Sequence, residues 1–255
     1  MKVKILALGD VTGEAAVRFL EKRLPAFRKE NGIGFTVING ENCLAGRGNG
    51  IDRESFSRLL SAGADVVTTG NHVFAHPGDF LDDEKVLLRP LNYPDAAPGH
   101  GICDLLIDGI SYRVINLVGT VLIDGADNPF TAADRALKDC RTDITVIDMH
   151  AETTSEKTAM GFFVDGRATL CFGTHTHVPT ADARILPRGT AYVTDVGMCG
   201  PENSVLGLEP RVIIDRYTSC ARSKFQIADG DTVCTGVMVT VSDGKAIAIE
   251  RTEFR

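Results

Sequence analysis

A chain of 255 residues with 44% hydrophobic and 24% charged residues has the size and composition of an ordinary globular domain. Its formal net charge of −7 argues against a nucleic-acid polymer as partner, since such binding needs a broad basic surface, but a small anionic ligand could still be held by local cations. No apolar stretch approaches the length of a membrane span, and the apolar start gives way to Gly9-Asp10 almost at once. We therefore expect a single domain over residues 1–255, in the cytoplasm, without a signal peptide or membrane contact.

The seven cysteines are scattered along the chain without a CxxC pair. This pattern excludes the usual zinc-ribbon and thioredoxin-type motifs, and the odd number argues against a disulfide framework. Cys43 directly follows Glu41-Asn42, but a soft thiolate fits poorly among hard ligands. We expect Cys43 to be a packing residue.

The first third of the chain alternates strand-like and helix-like segments. These are a strand at 3–8, a helix at 17–27, a strand at 35–38, a helix at 56–62 and a strand at 66–69. This β-α-β-α-β order is typical of a parallel or mostly parallel sheet.

The remainder of the chain adds antiparallel features. Asp108-Gly109 and Asp243-Gly244 are hairpin turn signals between apolar segments, and Thr131 with Asp134 resembles a capping box that opens a helix through Leu137. Further strands are predicted at 144–147, 169–172 and 191–194. Strand–helix alternation followed by antiparallel strands predicts two packed sheets with helices outside.

Potential metal ligands stand at or just past the ends of the predicted strands. In chain order these residues and their neighbours are Asp10, Glu41, Asn42, Asn71, His72, His150, His175 and His177. Successive strand ends in an α/β fold can bring such groups to one edge, and this mixture of carboxylate, amide and imidazole suits manganese, iron or zinc better than calcium. Two such ions would suit the hydrolysis of a phosphate ester, with His72 placed to protonate the leaving alkoxide.

Each residue taken alone also has an ordinary structural explanation. Asp10 could cap the first helix, and His150 could be a buried histidine with a satisfied hydrogen bond. Asn42 and Asn71 could serve tight turns, because asparagine tolerates a left-handed backbone. The order of all these residues along the chain is what favours a metal site.

The motifs carry a family resemblance. They read Gly9-Asp10, Gly40-Glu41-Asn42, Gly70-Asn71-His72, His150 and Gly173-Thr174-His175-Thr176-His177. This series resembles that of the calcineurin-like metallophosphoesterases, and nearly the whole chain resembles the bacterial YmdB-like phosphodiesterases. The longest similar stretches are 148–157, 173–187 and 194–201.

The resemblance implies a four-layer αββα sandwich, in which two mixed sheets are flanked by helices. It also implies two metal ions per chain, iron or manganese before zinc or magnesium, and hydrolysis of 2′,3′-cyclic or 3′,5′-cyclic nucleotides by a metal-activated hydroxide. Glu41 would bridge the two ions, and His72 would be the general acid. The other ligands would be Asp10, Asn42 and His177 for one ion, and Asn71, His150 and His175 for the other. Some relatives form homo-oligomers, so an oligomer is a further expectation.

Departures from the family pattern leave the substrate preference open. Thr12 stands where the wider superfamily has a histidine, and Glu41 stands where it has an aspartate, both in agreement with the YmdB-like subgroup. Gly13-Glu14 departs from the subgroup itself, and a glutamate near the substrate would disfavour a phosphate. The roles of other nearby residues stay open: Arg47 in the loop 46–50 could contact phosphate, and Glu152, Thr154 and Lys157 could line the pocket or begin a solvated helix.

Three alternative functions also remain open at this point. The protein could be a phosphomonoesterase or nucleotidase of the same superfamily. It could instead be a metal-dependent regulatory protein that binds nucleotides with little turnover, or a phosphatase acting on protein or RNA.

Overall fold

Two β-sheets form the centre of the structure, a computed structural model that describes residues 2–44, 49–76, 80–220 and 224–255. Within these ranges the eight strands of the first sheet are β1 (Lys2–Leu8), β2 (Asp10–Val11), β3 (Ile33–Asn39), β4 (Val66–Thr68), β5 (Leu87–Leu88), β12 (Met198–Pro201), β13 (Thr232–Ser242) and β14 (Lys245–Phe254). Their spatial order is β2-β12-β13-β1-β3-β4-β5, and β14 pairs with β13. Strands β1, β3 and β4 run parallel, whereas β13 is antiparallel to β1.

The second sheet has six strands within the described ranges. They are β6 (Ile102–Ile107), β7 (Ile110–Val118), β8 (Ile144–His150), β9 (Leu170–Thr174), β10 (Arg184–Ile185) and β11 (Ala191–Val193). The spatial order is β10-β11-β9-β8-β7-β6, with β7, β8, β9 and β11 parallel and an antiparallel strand at each edge. Both sheets are therefore mixed.

Helices cover the outer faces of the two sheets. Those in the described ranges are α1 (Gly13–Asn31), α2 (Arg53–Ala62), α3 (Pro129–Lys138), α4 (Thr154–Val164) and α5 (Pro210–Ser219). The pair α1 and α2 packs on the first sheet, and α3 and α4 pack on the second. No residue of α5 is buried. In the part of the chain that the structure describes, no helix combines the length and apolar character needed to cross a membrane.

The alternation of side chains in β1 shows how the layers are separated. Leu6 and Leu8 pack in the apolar layer beneath α1 and α2, whereas Ile5 and Ala7 face the second sheet. Between the sheets the rings of Phe35 and Tyr112 stack, with their centroids 4.1 Å apart. A third apolar layer lies between the second sheet and its helices. The predicted four-layer αββα sandwich is confirmed.

Local signals in the sequence had mixed outcomes. Both Asp-Gly hairpins form, with left-handed backbone at Asp108 (φ 50°) and Asp243 (φ 50°), as such two-residue turns require. The predicted capping box at Thr131 is wrong. Asn128 caps α3 instead, because its side chain accepts hydrogen bonds from the N–H groups of Phe130 and Thr131, and the helix begins before Thr131.

The structure pairs two of the cysteines, which the sequence pattern did not suggest. Cys199 and Cys234 lie opposite each other in β12 and β13 and form a disulfide. The expected absence of a disulfide framework followed from spacing alone, and spacing cannot reveal which strands become neighbours. Cys43 is a buried packing residue, as expected.

Candidate metal centre

The candidate ligands lie where both sheets present the carboxyl ends of parallel strands. Asp10 follows β1, Glu41 follows β3 and Asn71 follows β4, all in the first sheet. In the second sheet His150 is the last residue of β8, and His175 directly follows β9. Ligand sites in α/β folds form at this edge because the loops beyond parallel strands converge there.

The ring of His150 is the centre of the closest cluster. Its Nε2 atom lies 3.1 Å from Glu41 Oε2, 3.1 Å from Asn71 Oδ1 and 3.0 Å from His175 Nδ1. Glu41 Oε2 is nevertheless buried without a hydrogen-bond partner among the described residues. Glu41, His150 and His175 thus offer three ligand atoms that all lie within 4.8 Å of one another.

Asp10, Asn42 and His177 form the adjoining part of the site. Asp10 Oδ2 accepts a hydrogen bond from the His175 N–H at 3.0 Å, while Oδ1 is buried without a hydrogen-bond partner in the described residues and lies 3.9 Å from His177 Nε2. Asn42 Nδ2 lies 3.1 Å from His177 Nε2. A half-turn of this amide would exchange its nitrogen and oxygen, so Asn42 can also offer an oxygen in this direction.

Burial determines the protonation of these groups in the metal-free protein. Desolvation lowers the pKa values of His150 and His175 to about 4, so both rings are neutral at pH 7. Desolvation also raises the pKa of Asp10 to about 7, and it raises that of Glu41. Buried carboxylate oxygens without hydrogen bonds, facing neutral imidazole nitrogens, fit a hard or borderline cation.

Gly70 is required by the close approach of the backbone to the cluster. A Cβ atom at this position would lie only 1.8 Å from Glu41 Oε2 and 2.2 Å from His150 Nε2. A side chain here would displace the two atoms that define the cluster.

The loop that carries the two histidines has an unusual backbone conformation, and hydrogen bonds to Asp195 stabilise it. His175 (φ 97°) and His177 (φ 64°) both lie in the left-handed region, which costs energy for residues other than glycine. Asp195 Oδ2 accepts hydrogen bonds from the N–H of Thr176 at 3.2 Å and from its hydroxyl at 2.7 Å. Lys157 Nζ lies 2.7 Å from the same oxygen.

Lys157 itself is fully buried, and its ammonium also donates to the carbonyl of Thr174 at 2.8 Å. The expectation that Lys157 lines the pocket or begins a solvated helix is wrong, because its side chain extends under the loop toward Asp195. Asp195 was not identifiable from sequence, because it becomes a neighbour of the loop only in the folded chain.

A cavity of about 400 Å³ opens above the cluster. Its lining combines polar residues, which include Glu41, His72, Glu152, His175 and His177, with the apolar residues Leu206, Leu208 and Phe225. His72 is 40% exposed, and its Nε2 lies 4.0 Å from Glu41 Oε1.

Glu152 and Glu14, whose roles could not be assigned from sequence, have different surroundings from each other. Glu152 lines the cavity, and its Oε2 lies 2.9 Å from His175 Nε2. Glu14 instead pairs with Arg18 at 2.7 Å and with Arg58 at 2.9 Å, so its charge is neutralised within the helical layer. Arg47 lies outside the described residues.

Asp148 and Thr174 are two further residues that sequence reasoning missed. Both are fully buried beneath His150, and Thr174 Oγ1 lies 2.9 Å from His150 Nδ1. The strand period could have revealed Asp148, because residues 148 and 150 of one strand point to the same face. No signal in the sequence indicated that Thr174 would lie between them.

The chain is similar to known proteins along nearly its whole length. A family model described as YmdB-like protein matches residues 6–252. A 2′,3′-cyclic-nucleotide 2′-phosphodiesterase of Bacillus subtilis (strain 168) is 42% identical over 255 residues, which cover 98% of this chain and 96% of the relative.

Solved structures are similar as well. A hypothetical protein of Thermus thermophilus has a TM-score of 0.93 at 38% identity, with 99% of each chain covered. A protein described as a novel phosphatase, from Mycoplasma pneumoniae, has a TM-score of 0.93 at 34% identity, with 100% of this chain and 94% of the other covered.

Proposed function

The chain belongs to the YmdB-like family, and we propose that it is a metal-dependent phosphodiesterase that hydrolyses cyclic nucleotides. One observation carries the metal dependence. Glu41 Oε2 and His150 Nε2 lie 3.1 Å apart, yet the carboxylate oxygen has no hydrogen-bond partner among the described residues. A cation between such atoms would offset the cost of burying the carboxylate.

The proposed centre would hold two ions. Its mixed imidazole, amide and carboxylate ligands suit manganese, iron or zinc, and the family resemblance favours iron or manganese. Glu41 would contribute to holding both ions. The remaining ligands would be Asp10, Asn42 and His177 for one ion, and Asn71, His150 and His175 for the other. When bound, such ions polarise phosphoryl oxygens and lower the pKa of water.

The protein's own side chains would divide the remaining work. His72 lines the cavity 4.0 Å from Glu41 Oε1, and its partly exposed imidazole would act as the general acid for the leaving alkoxide. The cavity lining also includes the apolar side chains of Leu206, Leu208 and Phe225, which suit a nucleobase. Polar groups for phosphate and apolar groups for a base in one cavity support a nucleotide substrate.

The name of the Bacillus subtilis relative supports 2′,3′-cyclic nucleotides as the first substrates to examine, followed by 3′,5′-cyclic nucleotides. A second candidate is phosphomonoester hydrolysis, because the Mycoplasma pneumoniae structure with a TM-score of 0.93 is described as a phosphatase.

The test combines metal analysis with substrate comparison. Purified protein should contain about two metal ions per chain after reconstitution with Mn²⁺, and it should cleave 2′,3′-cyclic AMP faster than a phosphomonoester. Glu41→Ala should lose both ions, whereas the control Glu54→Ala, at an exposed position of α2, should retain them. Preferential cleavage of the monoester would favour the phosphatase, and tight binding of the nucleotide without turnover would indicate a regulatory protein. A wild-type chain that takes up no metal would contradict the proposal.

A further inference from the structure

Asp148 lies directly beneath the candidate metal centre. It is fully buried, and it occupies the same face of β8 as His150. Asp148 Oδ2 accepts hydrogen bonds from Thr68 Oγ1 at 2.6 Å and from Asn39 Nδ2 at 2.9 Å, while Oδ1 accepts one from Thr174 Oγ1 at 2.7 Å. Asp148 therefore acts as an acceptor for three buried side chains.

The hydroxyl of Thr174 connects Asp148 to His150. Its oxygen lies 2.7 Å from Asp148 Oδ1 and 2.9 Å from His150 Nδ1. A hydroxyl has one proton, and when Asp148 is ionised a proton directed at His150 would leave two oxygens facing each other at 2.7 Å without hydrogen between them. The hydroxyl proton therefore points to Asp148, and the ring nitrogen must donate to the hydroxyl oxygen.

The side chain of Asn39 does not change this assignment. Its amide nitrogen lies 3.3 Å from Thr174 Oγ1 and donates, so it offers no acceptor for the hydroxyl proton. Its oxygen is already occupied by the N–H of Glu41 at 3.0 Å.

We propose that Asp148 and Thr174 are positioning residues that fix the tautomer of His150, with its proton on Nδ1 and the lone pair of Nε2 directed at the metal. This inference rests on the proposed metal site. The atoms around Nε2 explain why such a device is needed. Glu41 Oε2 and Asn71 Oδ1, each 3.1 Å away, are acceptors that would otherwise attract the proton to Nε2 and block the ligand position.

The tautomer can be observed directly in metal-free protein labelled with ¹⁵N at histidine and kept at pH 8, above the pKa of about 7 to which burial raises Asp148. Long-range ¹H–¹⁵N spectra distinguish Nδ1–H from Nε2–H rings, and the signals of His150 are identified by their loss in His150→Gln. The wild type should show the Nδ1–H form. Thr174→Val should shift His150 toward the Nε2–H form, and Thr174→Ser should retain the wild-type pattern because the hydroxyl is kept.

Metal affinity gives a second measurement, by competition between the protein and a chelator for Mn²⁺. Thr174→Val should bind about 10- to 100-fold more weakly, while Thr174→Ser should stay close to the wild type. Thr36→Val is a matched control, because Thr36 is also fully buried but its hydroxyl has no hydrogen-bond partner in the described part of the chain. This variant should keep both the tautomer and the affinity.

The two proposals can fail separately. An Nε2–H ring in the metal-free wild type would overturn the tautomer inference even if Thr174→Val did not fold. Unchanged affinity in a folded Thr174→Val would overturn it as well, and the proposed function would stand. A wild type that shows Nδ1–H but binds no metal would remove the proposed function and, with it, the role assigned to Thr174.

Discussion

At the scale of single residues, Asp10 and Glu41 are the most costly groups of the metal-free site. Each is fully buried or nearly so, and each leaves one oxygen without a hydrogen-bond partner among the described residues. Burying an unpaired carboxylate costs several kcal/mol, so these two residues destabilise the folded metal-free protein. A bound cation would provide the missing interaction.

Gly70→Ala should abolish metal binding, because the added Cβ would overlap Glu41 Oε2 and His150 Nε2. The measurement is metal content after reconstitution, together with the melting temperature. Gly109→Ala serves as a control, since a side chain strains its left-handed backbone, but no atom of the described residues, apart from its chain neighbours, lies within 4 Å of the added Cβ. The control should lose about 1 kcal/mol of stability and still bind metal. Normal metal content in Gly70→Ala would contradict the proposed site.

His72→Ala should leave metal content nearly unchanged, because His72 lines the cavity and is not one of the proposed ligands. Turnover of 2′,3′-cyclic AMP, whose alkoxide is a poor leaving group, should fall about 10²- to 10⁴-fold. Turnover of bis(p-nitrophenyl) phosphate should change little, since a nitrophenolate leaves without protonation. Equal losses on both substrates would remove His72 from the role of general acid.

At the scale of the element, the loop after β9 depends on a buried ion pair. Lys157 Nζ and Asp195 Oδ2 lie 2.7 Å apart, and the same carboxylate oxygen binds Thr176 between the two histidines. The pair thus stabilises a strained backbone that strand β9 alone would not impose. Its contribution can be separated from that of metal binding by measuring the metal-free protein.

Lys157→Met should destabilise the metal-free protein by about 3–5 kcal/mol, because Asp195 would remain buried without its countercharge. The double variant Lys157→Met/Asp195→Asn should recover part of this loss. The measurement is urea unfolding in the presence of a chelator. As a control, Arg167→Gln removes the partly exposed partner of Asp134 and should cost no more than about 1 kcal/mol. A similar small loss in Lys157→Met would show that the pair is not important for stability.

At the scale of the whole molecule, the candidate site is built from residues of both sheets. The first sheet supplies Asp10 and Glu41 and the second supplies His150 and His175, so bound metal would tie the two halves together. A ligand that binds only the folded state adds about 2.7 kcal/mol of stability at a concentration of 100 Kd. Metal removal should therefore lower the melting temperature.

This stabilisation should depend on pH in a defined direction. Burial raises the pKa of Asp10 from 3.8 to about 7, so below pH 7 a proton competes with the metal for this carboxylate. The rings of His150 and His175, with pKa values lowered to about 4, do not compete above pH 5. Affinity for Mn²⁺ should fall by about tenfold per pH unit for each proton displaced as the pH decreases below 7.

In the metal-free chain, the contribution of Asp10 to folding stability changes with pH in the opposite direction to the metal affinity. A raised folded-state pKa favours folding at low pH, and this contribution is lost as the pH rises from about 4 through about 7. The increase in melting temperature on adding Mn²⁺ should therefore be larger at pH 8 than at pH 6. Calorimetric scans with and without Mn²⁺ at both pH values provide the measurement, and a larger increase at pH 6 would contradict the pKa argument.

The main strands, and the meeting of several candidate ligands at one edge, could be predicted from sequence, because both depend on local patterns. Short apolar runs marked β1, β3, β4 and β8, and the Asp-Gly turns marked both hairpins. Polar residues at strand ends then pointed to one edge of an α/β fold, and the structure brings Glu41, Asn71, His150 and His175 together there. The end of a strand is a local property, so a local pattern was sufficient.

Contacts between distant segments required the tertiary structure. The Asp148–Thr174–His150 chain, the pairing of Lys157 with Asp195 and the disulfide between Cys199 and Cys234 each join separate elements. Residue type and spacing could not predict these contacts. The partner of a hydroxyl, an ammonium or a thiol depends on which elements pack against each other in the folded chain. Sequence therefore identified the groups available for chemistry, and folding determined which groups support and orient them.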